Sequence, residues 1–151
     1  MADVVADDNL PKSSGMERVV PASALKNFAN SRVAASARGD AKRKNVLLYL
    51  SSYELDDGAC GDIAKKGGAV VFSFSDVLKE KGFRRAIVIS KMRLCLAACR
   101  NSGCGFVACS LAKNGNEMRN ARERRAFMSV LGMTQEEIKH SEELLEKLVI
   151  A

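Results

Sequence analysis

The sequence predicts an α/β domain built on a mainly parallel sheet, and three observations lead there. Residues 46–50 (VLLYL), 69–74 (AVVFSF) and 106–111 (FVACSL) are continuous apolar runs, the pattern of strands covered on both faces. Stretches of helical period separate them, and strand alternating with helix describes βαβ units. The chain has 151 residues, 47% hydrophobic and 28% charged, which is room for one soluble globular domain with a real core and not for two.

Taken in order, residues 1–15 (MADVVADDNLPKSSG) are polar and acidic, contain Pro11, Ser13, Ser14 and Gly15, and show no apolar period. They predict a disordered acidic tail, leaving residues 16–151 as the domain. The tail has neither a charged leader nor an apolar centre, so it does not read as a secretory signal. Residues 22–31 (ASALKNFANS) place Leu25, Phe28 and Ala29 on one helical face, and residues 32–36 (RVAAS) read as a short strand. A basic connector, 37–45, leads into the strand at 46–50. A short helix at 58–66 and a Gly67-Gly68 turn precede the strand at 69–74. Ser75 is placed to cap a helix over 76–81, with Asp76 complementing its dipole and Gly82 ending it.

The longest helix spans 84–102, where Val88, Met92, Cys95, Leu96 and Cys99 make the buried stripe and Arg85, Arg93 and Arg100 the solvated side. Gly103 and Gly105 turn the chain into the strand at 106–111. A helix over 117–131, with Met118, Phe127 and Val130 inward, ends at Gly132. Thr134 with Glu137 forms a capping box for the last helix, which turns Ile138, Leu145 and Leu148 inward and Glu136, Glu142, Glu143 and Glu146 outward. Only three or four strands are visible. The connector 36–46 is shorter than the dozen or so residues that a parallel crossover with a helix requires.

The net charge of +6 and a pI near 9.2 favour a polyanionic partner. No apolar run approaches the ~20 residues of a membrane helix. The chain is expected in the cytoplasm, where its five cysteines stay reduced. The catalytic inventory is thin. The one histidine, His140, stands among glutamates on the last helix. Cys60, Cys95, Cys99, Cys104 and Cys109 contain no C-x-x-C pair and read as small buried hydrophobes, not zinc ligands. Ser51, Ser52 and Ser73 follow or end strands but lack a histidine base nearby. Asp56-Asp57 reads as a helix-initiating acidic loop in preference to a magnesium site. No catalytic residue, metal or cofactor is therefore assigned to this chain.

The basic residues carry more. Arg38 and Lys42 sit with Arg43 and Lys44 in the connector, Arg84-Arg85 opens the longest helix, and Lys113 begins the loop after the strand at 106–111. Arg119, Arg122, Arg124 and Arg125 put four arginines within seven positions. Arg119, Arg122 and, less closely, Arg125 lie along one helical side at i, i+3 and i+6, a geometry suited to phosphates. With no tryptophan and few aromatics, the pattern favours backbone and shape recognition of folded RNA over base stacking.

The stretch from Gly68 to Met133 resembles the protein component three family of ribonuclease P, its TIM-barrel protein subunit. Residues 70–74, the helix after them, Arg84-Arg85 and the basic helix through Arg100 are similar to the family's series, and Cys109-Ser110-Leu111-Ala112 to its Ser-Gly-Ala strand end. Arg119-Asn120-Ala121-Arg122-Glu123 through Leu131-Gly132-Met133 resembles its Arg, Pro-Arg-Asp and Gly-Met motif, with alanine for proline and glutamate for aspartate. Residues 33–40 and 44–50 resemble its Arg-Gly-Gly-Asp strand and the next one.

The resemblance implies the carboxyl-terminal half of a TIM (PHP-like) barrel, lacking the family's amino-terminal strands. It implies a non-catalytic subunit in the removal of tRNA 5′ leaders, where the RNA subunit performs magnesium-dependent hydrolysis. Its implied partners are the ribonuclease P RNA, precursor tRNA and protein component two, and its RNA-binding residues are Arg38, Lys42, Arg84, Arg85, Lys113, Arg119 and Arg122. An open half-barrel is expected to self-associate or to take a complementing polypeptide. Two alternatives stand beside this reading: a basic module of another ribonucleoprotein, and a degenerate metal-dependent phosphoesterase, which a single histidine disfavours.

Overall fold

A computed structural model describes residues 2–6, 13–14, 17–32 and 34–150. The central sheet has four parallel strands in the order β4 (Phe28–Ser31), β5 (Leu47–Leu50), β6 (Ala69–Ser73) and β7 (Gly105–Cys109). Between them run helices α1 (Ala34–Asp40), α2 (Asp57–Lys65), the short α3 (Phe74–Leu78) and the long α4 (Gly82–Ser102). Helices α5 (Ala121–Val130) and α6 (Gln135–Ile150) complete the chain. A second sheet has the order β1 (Ala2–Val5), β3 (Glu17–Pro21), β2 (Ser13–Ser14), with β1 and β3 parallel.

The continuous apolar runs are explained by two cores. On one face of the sheet Leu48, Leu50, Val70 and Phe72 pack with Ile63 of α2, Met92 and Leu96 of α4, and Phe127 and Met128 of α5. On the other face Leu47, Ala69, Val71 and Val107 pack with Val4 of β1 and with Leu145 and Leu148 of α6. Successive strand residues point to opposite faces, so both must be apolar. Leu47, Leu48, Leu50 and residues 69–73 are all fully buried, so these strands do not present the open apolar face that an incomplete half-barrel would leave.

The amino terminus departs most from expectation. Ala2–Val5 is a buried strand, not part of a disordered tail, and it docks beyond the end of β7, with Leu111 N donating to Val4 O at 2.9 Å and Ala6 N to Ala112 O at 2.9 Å. Residues 1, 7–12 and 15–16 of that segment lie outside the described residues. Residues 22–31 are not a helix either. A 3₁₀ turn, Ala22–Ala24, leads into β4, which pairs with β5 from Phe28↔Leu47 to Ser31↔Leu50. Of the strand expected at 32–36, residues 34–36 instead open α1, whose alanines and Arg38 favour helix, and Val33 lies outside the described residues. Because β4 ends at Ser31, residues 32–46 carry the crossover, and the connector is long enough.

Smaller differences have local causes. Asn120 accepts from Glu123 N at 2.9 Å and so starts α5 at Ala121, leaving Met118 outside the helix; Val130 at its end is half exposed. Helix α3 begins at Phe74, so Ser75 and Asp76 lie inside it and no side chain caps it, Ser73 at the N-cap making no capping bond; Gly82 opens α4 instead of ending the helix before it. The α4 stripe of Met92, Cys95, Leu96 and Cys99 is buried as expected. Gly103 ends α4 at φ 67°, with Cys104 N bonded to Cys99 O at 2.9 Å and Gly103 N to Arg100 O at 3.4 Å, a Schellman cap that glycine best accommodates. The capping box also forms, Glu137 N to Thr134 Oγ1 at 3.2 Å and Thr134 N to Glu137 Oε1 at 2.9 Å.

Candidate functional site at the carboxyl ends of the strands

In open α/β sheets the strand carboxyl ends leave a crevice where ligands bind. Here a cavity of about 260 Å³ occupies that position. Its lining includes Asn30 of β4, Tyr49 of β5, Ser73 of β6 and Leu111 and Lys113 after β7, together with Ala6 after β1 and Ala22 after β3. Strand ends from both sheets thus meet around one mouth. Tyr49 Oη donates to Asp76 Oδ2 at 2.6 Å and Tyr53 Oη to the same oxygen at 2.8 Å, while Lys79 Nζ lies 3.3 Å from Asp76 Oδ1. Burial pushes both phenols up, and the Asp76 carboxylate raises them further. They are held as hydrogen-bond donors. Ser73 N donates to Tyr53 Oη at 3.1 Å, and the Ser73 and Ser75 hydroxyls are 3.0 Å apart.

Tyr53 and Leu111 take left-handed backbone angles, φ 55° and 43°, at this same end of the sheet. Such conformations cost about 1–3 kcal/mol each and persist where surrounding contacts impose them. For Leu111 the imposing contact is β1. Ser110 N and Oγ donate to the buried Asp3 carboxylate at 2.8 and 2.6 Å. Arg124, 3% exposed, brings Nη1 to 3.6 Å from Asp3 Oδ2 and donates to Arg119 O at 2.7 Å. One buried ion pair therefore locks the amino terminus, the β7 end and α5 together.

The seven basic candidates do not converge on one patch. Arg38 pairs with Asp56 at 3.0 Å, and Lys42 is exposed beside the shallow cleft these residues line. Arg84 is exposed at the start of α4, but Arg85 turns back, its Nε donating to Glu80 O at 2.8 Å and Val77 O at 3.0 Å. Lys113 is exposed at the cavity rim. Arg119 folds onto Asn116 O and Met118 O at 2.7 and 2.8 Å and pairs with Glu123. Arg122 is exposed on the first turn of α5 and forms no ion pair among the described residues.

The expected arginine side of a helix is not present, because Arg119 precedes α5, and Arg125 is in a bidentate pair with Glu142 at 2.6 and 3.1 Å. Nor are Arg93 and Arg100 simply solvated: their guanidinium groups hold Val130 O and Gly132 O, and Arg100 pairs with Glu137 at 2.6 Å.

Sequence reasoning missed Asp3 and passed over Asp76, Tyr49 and Tyr53 as site groups. The signal for Asp76 was its place just beyond a buried strand; Asp3, alternating with valines in ADVV, gave a strand signal only to a reader who allowed its charge to be buried. All five cysteines are free and buried. Cys60, Cys99 and Cys104 interact inside the helical layer, where hydrogen bonds from Cys104 and then Cys99 hold the Cys60 thiol below its ordinary value and Cys99 is pushed up. Among the described residues no group of three or more His, Cys, Asp or Glu is arranged to hold a metal ion, and no helix is long and apolar enough to cross a membrane. No protein-family model matches the chain, and no curated protein matches it.

Proposed function

We propose that this chain is a non-catalytic, RNA-binding protein subunit of ribonuclease P, acting in the cytoplasm in the removal of tRNA 5′ leaders. The observation that carries the reading is the placement of exposed cations: Arg84 in the connection that leaves β6, Lys113 and Arg122 in the connection that leaves β7. These connections leave adjacent strands at the end of the sheet where the cavity opens. Such a rim suits phosphate contacts that position a folded RNA without reading its bases. The resemblance of residues 68–133 to the component three family narrows the RNA to that of ribonuclease P, with precursor tRNA and protein component two as the further partners.

In this reading the RNA subunit and its magnesium ions perform the hydrolysis, and the chain supplies fixed cations. The cavity mouth gathered from strand ends of both sheets supports a contracted barrel as the architecture. The test is the salt dependence of binding to transcribed ribonuclease P RNA. Arg122→Ala and Lys113→Ala are each expected to weaken binding and lower the slope of log K against log salt by about one per lost phosphate contact. Arg125→Ala, which breaks a protein ion pair, leaves the slope unchanged. Equal slopes for wild type, Arg122→Ala and Lys113→Ala would refute the assignment.

A further inference from the structure

We propose that the outer face of α4 is a docking surface for an acidic amphipathic helix of another protein. Helix α4 buries Met92, Cys95, Leu96 and Cys99 against the sheet. At ~100° per residue the opposite side carries Phe83, Ala86, Ile87, Ser90, Leu94 and Ala97, all exposed and none charged. Phe83 is 80% exposed, Leu94 74% and Ile87 40%. Surface helices normally pair an apolar face with a polar one; apolar character on both sides belongs to a helix covered twice. The spacing of Phe83, Ile87, Ser90, Leu94 and Ala97 alternates four and three, the seam along which a second helix packs. Beside Leu94 the seam opens into a cleft of about 360 Å³ lined by Tyr53, Glu54, Leu55, Lys91 and Cys95, room for a large side chain from the occupant.

Charge selects that occupant. Arg84 and Lys91 flank one side of the seam; Arg93, bonded to Val130 O, flanks the other beside Arg100, whose charge is already paired with Glu137, and α4 contains no acidic residue. Glu54 is the acidic group in the adjoining cleft. Complementary flanks on a partner helix are therefore glutamates and aspartates. A second copy of this face would set cations against cations. Nucleic acid would satisfy Arg84 and Lys91 but leave Phe83, Ile87 and Leu94 in water, so the apolar seam favours protein.

A photoreactive benzophenone amino acid in place of Ser90 in the full chain, illuminated in native cells, identifies what lies on the seam by mass spectrometry of the crosslinked segment. The expected result is an amphipathic segment of another protein with acidic residues beside its apolar face. Lys91→Glu is expected to lower the crosslink yield about threefold through one lost charge pair, with an unchanged urea midpoint showing that the fold is intact. A crosslink to this same chain, to RNA or to a basic or uncharged segment overturns the proposal, as does no crosslink or a yield indifferent to Lys91→Glu.

Discussion

Replacing Asp3 by alanine should unfold this protein far more readily than any change in a tail would. Asp3 is 1% exposed, accepts two hydrogen bonds from Ser110 and faces the Arg124 guanidinium, itself 3% exposed. Removing the carboxylate leaves a buried cation without its counter-charge, a loss of about 3–5 kcal/mol when one member of a buried pair is deleted. The Ser110 N–H also loses its partner, and an unsatisfied buried donor costs about 1–3 kcal/mol, part of which is already counted in the first figure. Domains of this kind have about 5–15 kcal/mol in total, so a fifth or more is at stake. The assay is urea unfolding followed by circular dichroism, with stability read at constant slope.

Asp3→Ala combined with Arg124→Met should cost less than the sum of the two single changes, by about 0.5–3 kcal/mol, because the double variant leaves no unpaired charge. A loss below about 0.5 kcal/mol for Asp3→Ala, the size of an ordinary surface substitution, would refute the buried strand and the lock it forms.

Two further outcomes follow from the titrating groups. Hydrogen bonds from Arg100 hold the Glu137 carboxyl at about 2, below its ordinary value of 4.5, so its contribution to stability is full above pH ~4.5 and is lost as the pH falls towards 2. Arg100→Ala should flatten that part of the stability profile, measured by thermal melts from pH 2 to 6, and an unchanged profile would remove the pair from the account. With all five thiols buried, an aromatic disulfide reagent should find essentially none in the native protein and five after denaturation; a thiol reacting at the free rate in the native state would show that the helical layer opens.

Strands β5, β6 and β7 were legible because two-sided burial writes itself as an unbroken apolar run, and Thr134 with Glu137 because a capping box is a local chemical pattern. Strand β4 was not: FANS has two apolar residues at its start, and its pairing with β5 is a tertiary fact. Strand β1 was hidden by Asp3, whose burial depends on Ser110 and Arg124, both over a hundred positions away. The site was half legible. Sequence shows how many arginines stand in residues 119–125, but not that Arg124 serves a buried pair, Arg125 a glutamate and Arg119 nearby carbonyls, so that Arg122 is the one offered to solvent. Guanidinium groups used inside the fold and those offered to a ligand look the same in one dimension.

The most direct test of the central claim is purification of the tagged full chain from its native cells, followed by sequencing of the bound RNA. Enrichment of the ribonuclease P RNA, reduced in Arg122→Ala, is the predicted result. Enrichment of ribosomal or other RNA would transfer the basic rim to a different ribonucleoprotein, and no enriched RNA at all would contradict the account of that rim as an RNA-binding surface.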